Sequence, residues 1–294
     1  RHPRLALRMA HGMRGHGKGR LQTFGSMPRQ HNGHLVGLVG VLLHEQRYGF
    51  GQIVYALVGV THLYVQDEAS KQLLAGIGVN QVTVVGDTRF DRVIDIRNAA
   101  KPLPLVERFA GCWRVLVAGS SWQPDEDIII SYFNTHPNLR LVLAPHVVSE
   151  DHLRQIESKL QRPYVRYSTA TPKSVAEADC LIIDCYGLLS SIYRYATVAY
   201  VGGGFGVGIH NVPEAAVYGV PVIIGPNNKK FREAQALLAN GACREIHSAA
   251  DFAAIMDRFL SDKDELSRAG QAADNYIKQN AGATAVIAKD TLGR

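Results

Sequence analysis

Val198-Ala199-Tyr200-Val201-Gly202-Gly203-Gly204-Phe205-Gly206-Val207-Gly208-Ile209-His210-Asn211-Val212-Pro213-Glu214-Ala215-Ala216-Val217-Tyr218-Gly219-Val220-Pro221-Val222-Ile223-Ile224-Gly225 is the stretch that decides the fold. A short apolar run, Val198 to Val201, feeds a glycine-rich loop. Asn211 to Tyr218 reads as a helix, and Val220 to Gly225 is a second apolar run. Continuous rather than alternating apolar strands mean that both faces of the sheet are covered. The same alternation extends upstream. Arg114 to Ala118 is a strand and Gly119-Ser120-Ser121 a turn. Asp125 to Phe133 is a helix, Leu139 to Ala144 a strand and Glu150 to Leu160 a helix. Further strands are expected at Tyr164 to Tyr167 and Cys180 to Asp184, with a helix at Leu188 to Tyr195. Downstream come helices at Phe231 to Ala239, Asp251 to Leu260 and Asp264 to about Gln279. The class is α/β, with a Rossmann-like parallel sheet between two layers of helices. In such sheets ligands bind beyond the carboxyl ends of the strands.

Toward the front, Ile53 to Val60 is an apolar segment and His62 to Val65 a strand. A helix follows to Leu74, with Asp67 as its cap. Val82 to Val85 is a strand, continuing into Gly86-Asp87-Thr88-Arg89-Phe90-Asp91-Arg92. Residues 50–95 are thus expected to be part of an N-terminal α/β domain. Residues 96–112, with Pro102 and Pro104, read as a linker. Residues 113–270 form the main domain, and 271–294 a terminal helix packing back on the N-terminal part. Residues 1–49 are irregular: Arg14-Gly15-His16-Gly17-Lys18-Gly19-Arg20 has neither helical nor strand period.

The net charge of the 294 residues is +6. That charge sits in the first 50 residues, which hold eight Lys/Arg against Glu45 alone, whereas the remaining 244 hold 24 basic and 25 acidic groups. A basic arm for nucleic acid or anionic lipid is one reading of the opening segment. A disordered segment, or one foreign to the fold, is the other, preferred because almost no aromatics are present for base stacking. No nucleic-acid partner is therefore expected. A hydrophobic fraction of 46% with mean hydropathy −0.05 fits a domain with a sizeable core. No apolar run reaches the length of a spanning helix, and neither a cleavable signal nor a disulfide framework is expected. The four cysteines lack metal-ligand spacing; Cys180 and Cys185 flank a buried strand and read as packing.

Three places could carry chemistry. At Val117-Ala118-Gly119-Ser120-Ser121, glycine lets a ligand approach the backbone, and the amides of the following helix start suit an anion. A plain structural turn has the same pattern. At Leu143-Ala144-Pro145-His146, a histidine at a strand end can donate to an anion, or be merely exposed. The third place is the loop Gly202-Gly203-Gly204, then His210-Asn211, Glu214 and Gly219-Val220-Pro221. There Asn211 marks a helix start and Glu214 lies one turn in, where a carboxylate can accept both hydroxyls of a ribose diol. A glycine turn with an acidic residue suiting the helix dipole is the bland alternative; the joint spacing favours a ligand site. It is not a dinucleotide fingerprint, since no later acidic ribose partner has the required spacing.

These motifs together resemble the C-terminal domain of GT-B glycosyltransferases. More narrowly, Gly86-Asp87-Thr88-Arg89-Phe90-Asp91, Ala118-Gly119-Ser120-Ser121, Gly202-Gly203 through His210-Asn211 and Glu214, Gly225-Pro226-Asn227 and Phe231-Arg232-Glu233 resemble the Kdo (3-deoxy-D-manno-octulosonic acid) transferases. The resemblance runs from about residue 60 to the C-terminus. It implies a metal-independent enzyme without cofactor, taking CMP-Kdo as donor and a lipid A precursor as acceptor at the cytoplasmic face of the bacterial inner membrane. It implies donor contacts from Ser120, Ser121, His146, Gly203, Gly204, His210, Asn211 and Glu214, with Gly119, Arg89, Gly187 and Asn227 at the margins of that set. Members usually carry Pro-Arg-His where this chain has Ala144-Pro145-His146. The loop before His210 is also shorter than usual, and no acidic residue follows Gly187. A catalytic glutamate belongs in an N-terminal glycine-adjacent turn, which Leu43-His44-Glu45-Gln46 does not match, so no catalytic base is assigned. The N-terminal domain is expected to be incomplete or altered. Another nucleotide-sugar transferase, a sugar-nucleotide 2-epimerase and a non-catalytic nucleotide-sugar binder are the competing readings.

Overall fold

The structure, a computed structural model, describes residues 61–206 and 208–293. The segment 53–60, the basic opening segment with Glu45, and Val207 of the glycine loop lie outside the described residues. The rest falls into two compact units, residues 61–87 with 282–293, and residues 88–281.

In the first unit β1 (Leu63–Val65) and β2 (Val82–Val84) pair in parallel around α1 (Glu68–Ala75). Asp67 caps this helix, its Oδ1 accepting from the Ser70 amide at 2.7 Å. Leu63, Val65, Leu74 and Val82 form a small core of their own.

The second unit opens with two helices, α2 (Thr88–Ala99) and α3 (Pro104–Ala110). Of the two prolines in the expected linker, Pro102 lies in the stretch between these helices and Pro104 starts the second. Pro104 occupies the first turn of α3, where its missing N–H costs nothing. Val106 and Phe109 of that helix are fully buried, which at about 1.5–3 kcal/mol per side chain ties the segment to the core. Phe90 of α2 packs edge-on against Tyr276 at 5.6 Å.

A regular alternation follows: β3 (Arg114–Ser121), α4 (Gln123–Thr135), β4 (Leu139–Pro145), α5 (Glu150–Lys159), β5 (Tyr164–Arg166), α6 (Pro172–Glu177), β6 (Cys180–Ile182), α7 (Leu189–Ile192), β7 (Val198–Val201), α8 (Pro213–Ala216), β8 (Val222–Ile224), α9 (Arg232–Ala239), β9 (Cys243–Glu245), α10 (Ala249–Ser261) and α11 (Lys263–Asn280). The helix α12 (Ala283–Leu292) belongs to the first unit, where the Tyr64 hydroxyl donates to Asp290. Seven parallel strands are ordered β5-β6-β4-β3-β7-β8-β9. Val115 to Ala118 and Leu141 to Leu143 are buried without alternation, as strands covered on both faces must be. Val115, Val117, Val142 and Val201 feed one core layer, whereas Leu116, Ala118, Leu141, Leu143 and Tyr200 feed the other. Cys180 and Cys243 are buried in strands as free thiols, and burial pushes the Cys243 thiol up to about 12. Among the described residues no helix is long and apolar enough to cross a membrane.

Two differences from the sequence reading bear on the site. The helix expected at Asn211 to Tyr218 contracts to Pro213–Ala216, with Val212 rather than Asn211 at its start. Strand β3 runs on through Gly119 and Ser120 to Ser121, with an irregular register between Gly119 and Ser121.

Candidate functional site

From β3 the chain moves outward to β4 and then to the edge strand β5, steps back to β6 between them, and crosses to the other side of β3 as β7. The sheet therefore reverses its order between β3 and β7, and ligands of such sheets bind in the crevice at that reversal. The loops leaving β3 and β7 carry most of the residues marked in the sequence.

The β3 turn is conformationally unusual. Ser120 has φ +51, and among the described residues it is the one non-glycine with positive φ. Such a conformation costs on the order of 1 kcal/mol and persists where its surroundings over-determine it. Here the surroundings are clear. Gly202 packs so tightly on the turn that a Cβ there would lie 2.6 Å from Ser121 Cα. Ser121, expected to face a ligand, is fully buried, and its Oγ donates to Glu126 Oε1 at 3.0 Å. The same oxygen meets His152 Nε2 at 3.0 Å. Burial pushes the Glu126 carboxyl upward, against the opposing pull of His152 and Ser121. Gly119 also faces inward, since a Cβ would lie 2.8 Å from Cζ of Tyr193.

Asp125, in the first turn of α4, ties the two loops together. It is buried, and Oδ2 accepts from the Trp122 amide and from the Gly203 amide, both at 2.9 Å. Oδ1 accepts from the Tyr200 hydroxyl at 2.6 Å. One carboxylate thus joins the β3 turn, the end of β7 and the glycine loop.

Beyond these anchors three rings meet. Trp122 stacks on His146 with centroids 4.6 Å apart, and His146 stacks on His210 at 4.5 Å. The Trp122 indole N–H donates to His210 Nε2 at 3.3 Å. His210 is half-buried; loss of hydration, with His146 adding to it, holds its imidazole below the usual range against the pull of Asp125. His146 is exposed, its backbone fixed by donation to the Ser121 carbonyl at 2.9 Å.

Behind the rings the glycine loop lies on the loop that leaves β8. A Cβ on Gly204 would stand 2.5 Å from Gly225 Cα, so glycine is required by backbone-to-backbone contact. Asn227 clamps this contact: its amide donates to the Gly204 carbonyl at 2.8 Å and its Nδ2 to the Gly206 carbonyl at 2.6 Å. The fully buried Asn228 holds the clamp from below, donating to the Gly225 carbonyl at 2.9 Å and to Glu245, while its Oδ1 accepts from Gln235 at 2.5 Å.

Glu214 lies in the first turn of α8. Its Oε1 accepts from Asn211 Nδ2 at 2.9 Å, and burial pushes its carboxyl upward against Asn211 and Arg92. With Val93, Ile96, Ser190, Val217 and Tyr218 it lines a cleft too narrow for water. Asn211 Oδ1 is buried without a hydrogen-bond partner among the described residues, an acceptor suited to a ligand hydroxyl or amine.

The structure brings His146, His210, Gly203, Gly204 and Asn227 together around the crevice, with Ser120 at its edge and Asn211 and Glu214 at the adjoining helix start. Arg89 is engaged elsewhere, its guanidinium forked on Glu233 at 3.1 and 3.4 Å. Gly187 is exposed at φ +90 on the loop after β6, with nothing within 4 Å of where a Cβ would be. Patterning alone passes over Trp122, Asp125 and Glu126. An acidic pair after Trp122-Gln123-Pro124 reads as a helix start, and that was the available signal.

No family model matches the chain. The 3-deoxy-D-manno-octulosonic acid transferase of Rickettsia prowazekii (strain Madrid E) is 27% identical over 219 residues, covering 70% of this chain and 45% of its own length. Among solved structures, the C-terminal CMP-Kdo binding domain of WaaA from Acinetobacter baumannii matches with a TM-score of 0.53 at 19% identity, over 64% of this chain and 97% of that one. The UDP-GlcNAc 2-epimerase from Neisseria meningitidis bound to UDP-GlcNAc matches with a TM-score of 0.59 at 14% identity, over 88% of this chain and 68% of that one. The fold is of the GT-B type, shared by nucleotide-sugar transferases and epimerases. Within it, this chain is similar in sequence to Kdo transferases, at 27–29% identity. The chain spans about half the length of the curated relatives it matches.

Proposed function

We propose that residues 88–281 are the donor side of a glycosyltransferase that moves Kdo from CMP-Kdo to a lipid A precursor at the cytoplasmic face of the inner membrane. The sequence assigned that side to residues 113–270; the acceptor side is assigned to residues before Thr88 and after Ala281. The observation that carries this reading is the exposed His146 ring at the β3–β7 reversal, backed by a glycine loop fixed to its neighbour by backbone contact. A donor bearing a phosphodiester and a carboxylate is served there by an imidazole and by the amides opening α4. Glu214 and the unpartnered Asn211 Oδ1 are assigned to the ribose hydroxyls. The chemistry is displacement of CMP from the anomeric carbon by an acceptor hydroxyl, with the general base supplied from outside the donor side.

Isothermal titration with CMP and UDP tests the donor. Binding of CMP with none of UDP supports the proposal; the reverse preference overturns it in favour of an epimerase-like or UDP-sugar enzyme. Transfer of labelled Kdo to the lipid A precursor, assayed with the same chain, separates an enzyme from a nucleotide-sugar binder.

A further inference from the structure

Two histidines meet at the crevice, and their surroundings differ. His210 is half-buried, with Nε2 facing the indole N–H of Trp122 at 3.3 Å. An indole nitrogen is a donor and never an acceptor. Nε2 of His210 must therefore carry its lone pair, which places the remaining proton on Nδ1 and makes the ring neutral. The neighbours agree with this state: His146 lies ring to ring at 4.5 Å, while the nearby carboxylate of Asp125 is already shared among the Trp122 amide, the Gly203 amide and the Tyr200 hydroxyl. His146 differs on each count. It is exposed, it lies on the Trp122 ring at 4.6 Å and 24°, and among the described residues neither of its ring nitrogens has a hydrogen-bond partner.

We propose that Trp122 is a positioning residue that gives the two histidines separate tasks: its N–H locks His210 as the neutral Nδ1–H tautomer, and its ring face presents His146 as the group that meets the ligand's phosphate. Trp122 is itself well placed to hold this geometry. Its amide is held by Asp125 at 2.9 Å, and it immediately follows the buried Ser121. One side chain thus contributes two orthogonal interactions, an edge donor toward β7 and a flat face toward β4. His210 becomes part of the wall, and the phosphate is left to His146.

The assignment of a phosphate rests on the donor reading above; the tautomer does not. The test begins with ligand-free full chain labelled with nitrogen-15 histidine, using long-range proton–nitrogen correlation spectra at neutral pH. His210, assigned by loss of its signals in H210Q, is expected as the Nδ1–H tautomer. An Nε2–H or charged His210 in the wild type overturns the proposal, whatever any variant does. W122F keeps a ring face and removes the donor, so His210 should become a tautomer mixture while the preference for CMP over cytidine stays. W122A removes both, and that preference should fall about ten- to hundredfold, the size of one lost hydrogen bond to a charged group. H146Q should remove the same preference with the His210 tautomer intact. An unchanged CMP-to-cytidine ratio in both W122A and H146Q overturns the His146 assignment. Where CMP fails to bind the wild type at all, the donor reading falls, and the His210 spectrum still decides the role of Trp122.

Discussion

Removing the Asp125 carboxylate should be among the most damaging single changes in the larger unit, and removing its charge alone should be mild. In Asp125→Ala, three donors lose their acceptor: the Gly203 amide, the Trp122 amide and the hydroxyl of the fully buried Tyr200. A buried polar group left unsatisfied costs about 1–3 kcal/mol. Two of the three sit where water has no access, and the third is half-buried, so the sum is about 3–5 kcal/mol, at the upper end for one substitution. Asp125→Asn behaves differently because of how the bonds are divided. Both backbone amides use Oδ2, which an asparagine carbonyl can replace, whereas Tyr200 alone uses Oδ1. A side-chain NH2 at that place can donate to the tyrosine oxygen once the hydroxyl turns, since a phenol both donates and accepts. The loss is then mainly charge assistance, about 1 kcal/mol. Urea denaturation followed by tryptophan fluorescence measures both, with the midpoint shift read at constant slope. An alanine variant less than about 1 kcal/mol below the asparagine variant would refute the assignment of three bonds to this carboxylate.

Further outcomes follow from the same geometry. Gly204→Ala places a Cβ 2.5 Å from Gly225 Cα, and should cost about 1–3 kcal/mol and abolish CMP binding by calorimetry. Glu214→Gln keeps the bond from Asn211 while removing a carboxylate that burial holds above its ordinary range, so at pH 7 the melting temperature should rise as CMP affinity falls about tenfold. For His210 the folded value lies below the unfolded one. The unfolded chain therefore binds more protons at acidic pH, and stability falls as pH drops through the ordinary histidine value near 6.5. Denaturation midpoints from about pH 7.5 to pH 5 should show this slope, and His210→Gln should flatten it. Glu126 has the opposite sign. Its contribution is lost as pH rises from the ordinary carboxylate value toward the raised folded one, a trend that Glu126→Gln should remove in the same series.

Much of the sheet could be read from the chain because both-face burial leaves a plain trace. Val115 to Ala118, Leu141 to Leu143 and Val198 to Val201 are apolar without interruption, and a run of that kind has one home in a covered parallel sheet. Asp67 was legible as a cap for a similarly local reason. Pro104 was ambiguous because a proline is compatible both with a linker and with the first turn of a helix, and burial of Phe109 shows the helix in three dimensions. Within the site, the glycines and His146 announce themselves by residue type and by their place at strand ends. Trp122 and Asp125 do not, because their meaning lies in partners 88 and 78 residues away. Ser121 shows the converse. Its type and place suggested a ligand contact, but the strand runs three residues further, to Ser121 itself, and the side chain is buried on Glu126.

The buried amide of Asn228 has a consequence for how the crevice comes into being as the chain is made. Asn228 is held by Gln235 of α9 and by Glu245 of β9, the outermost strand on its side of the sheet. The clamp of Asn227 on the glycine loop hangs on that neighbour. A nascent chain ending before Cys243 already contains every strand that frames the reversal between β3 and β7, yet lacks the acceptor that sets the loop. Such a chain has a sheet without a seat for the ligand, and nucleotide affinity should appear during synthesis in one step, when Glu245 docks. Affinity for CMP across a series of C-terminal truncations would time that step.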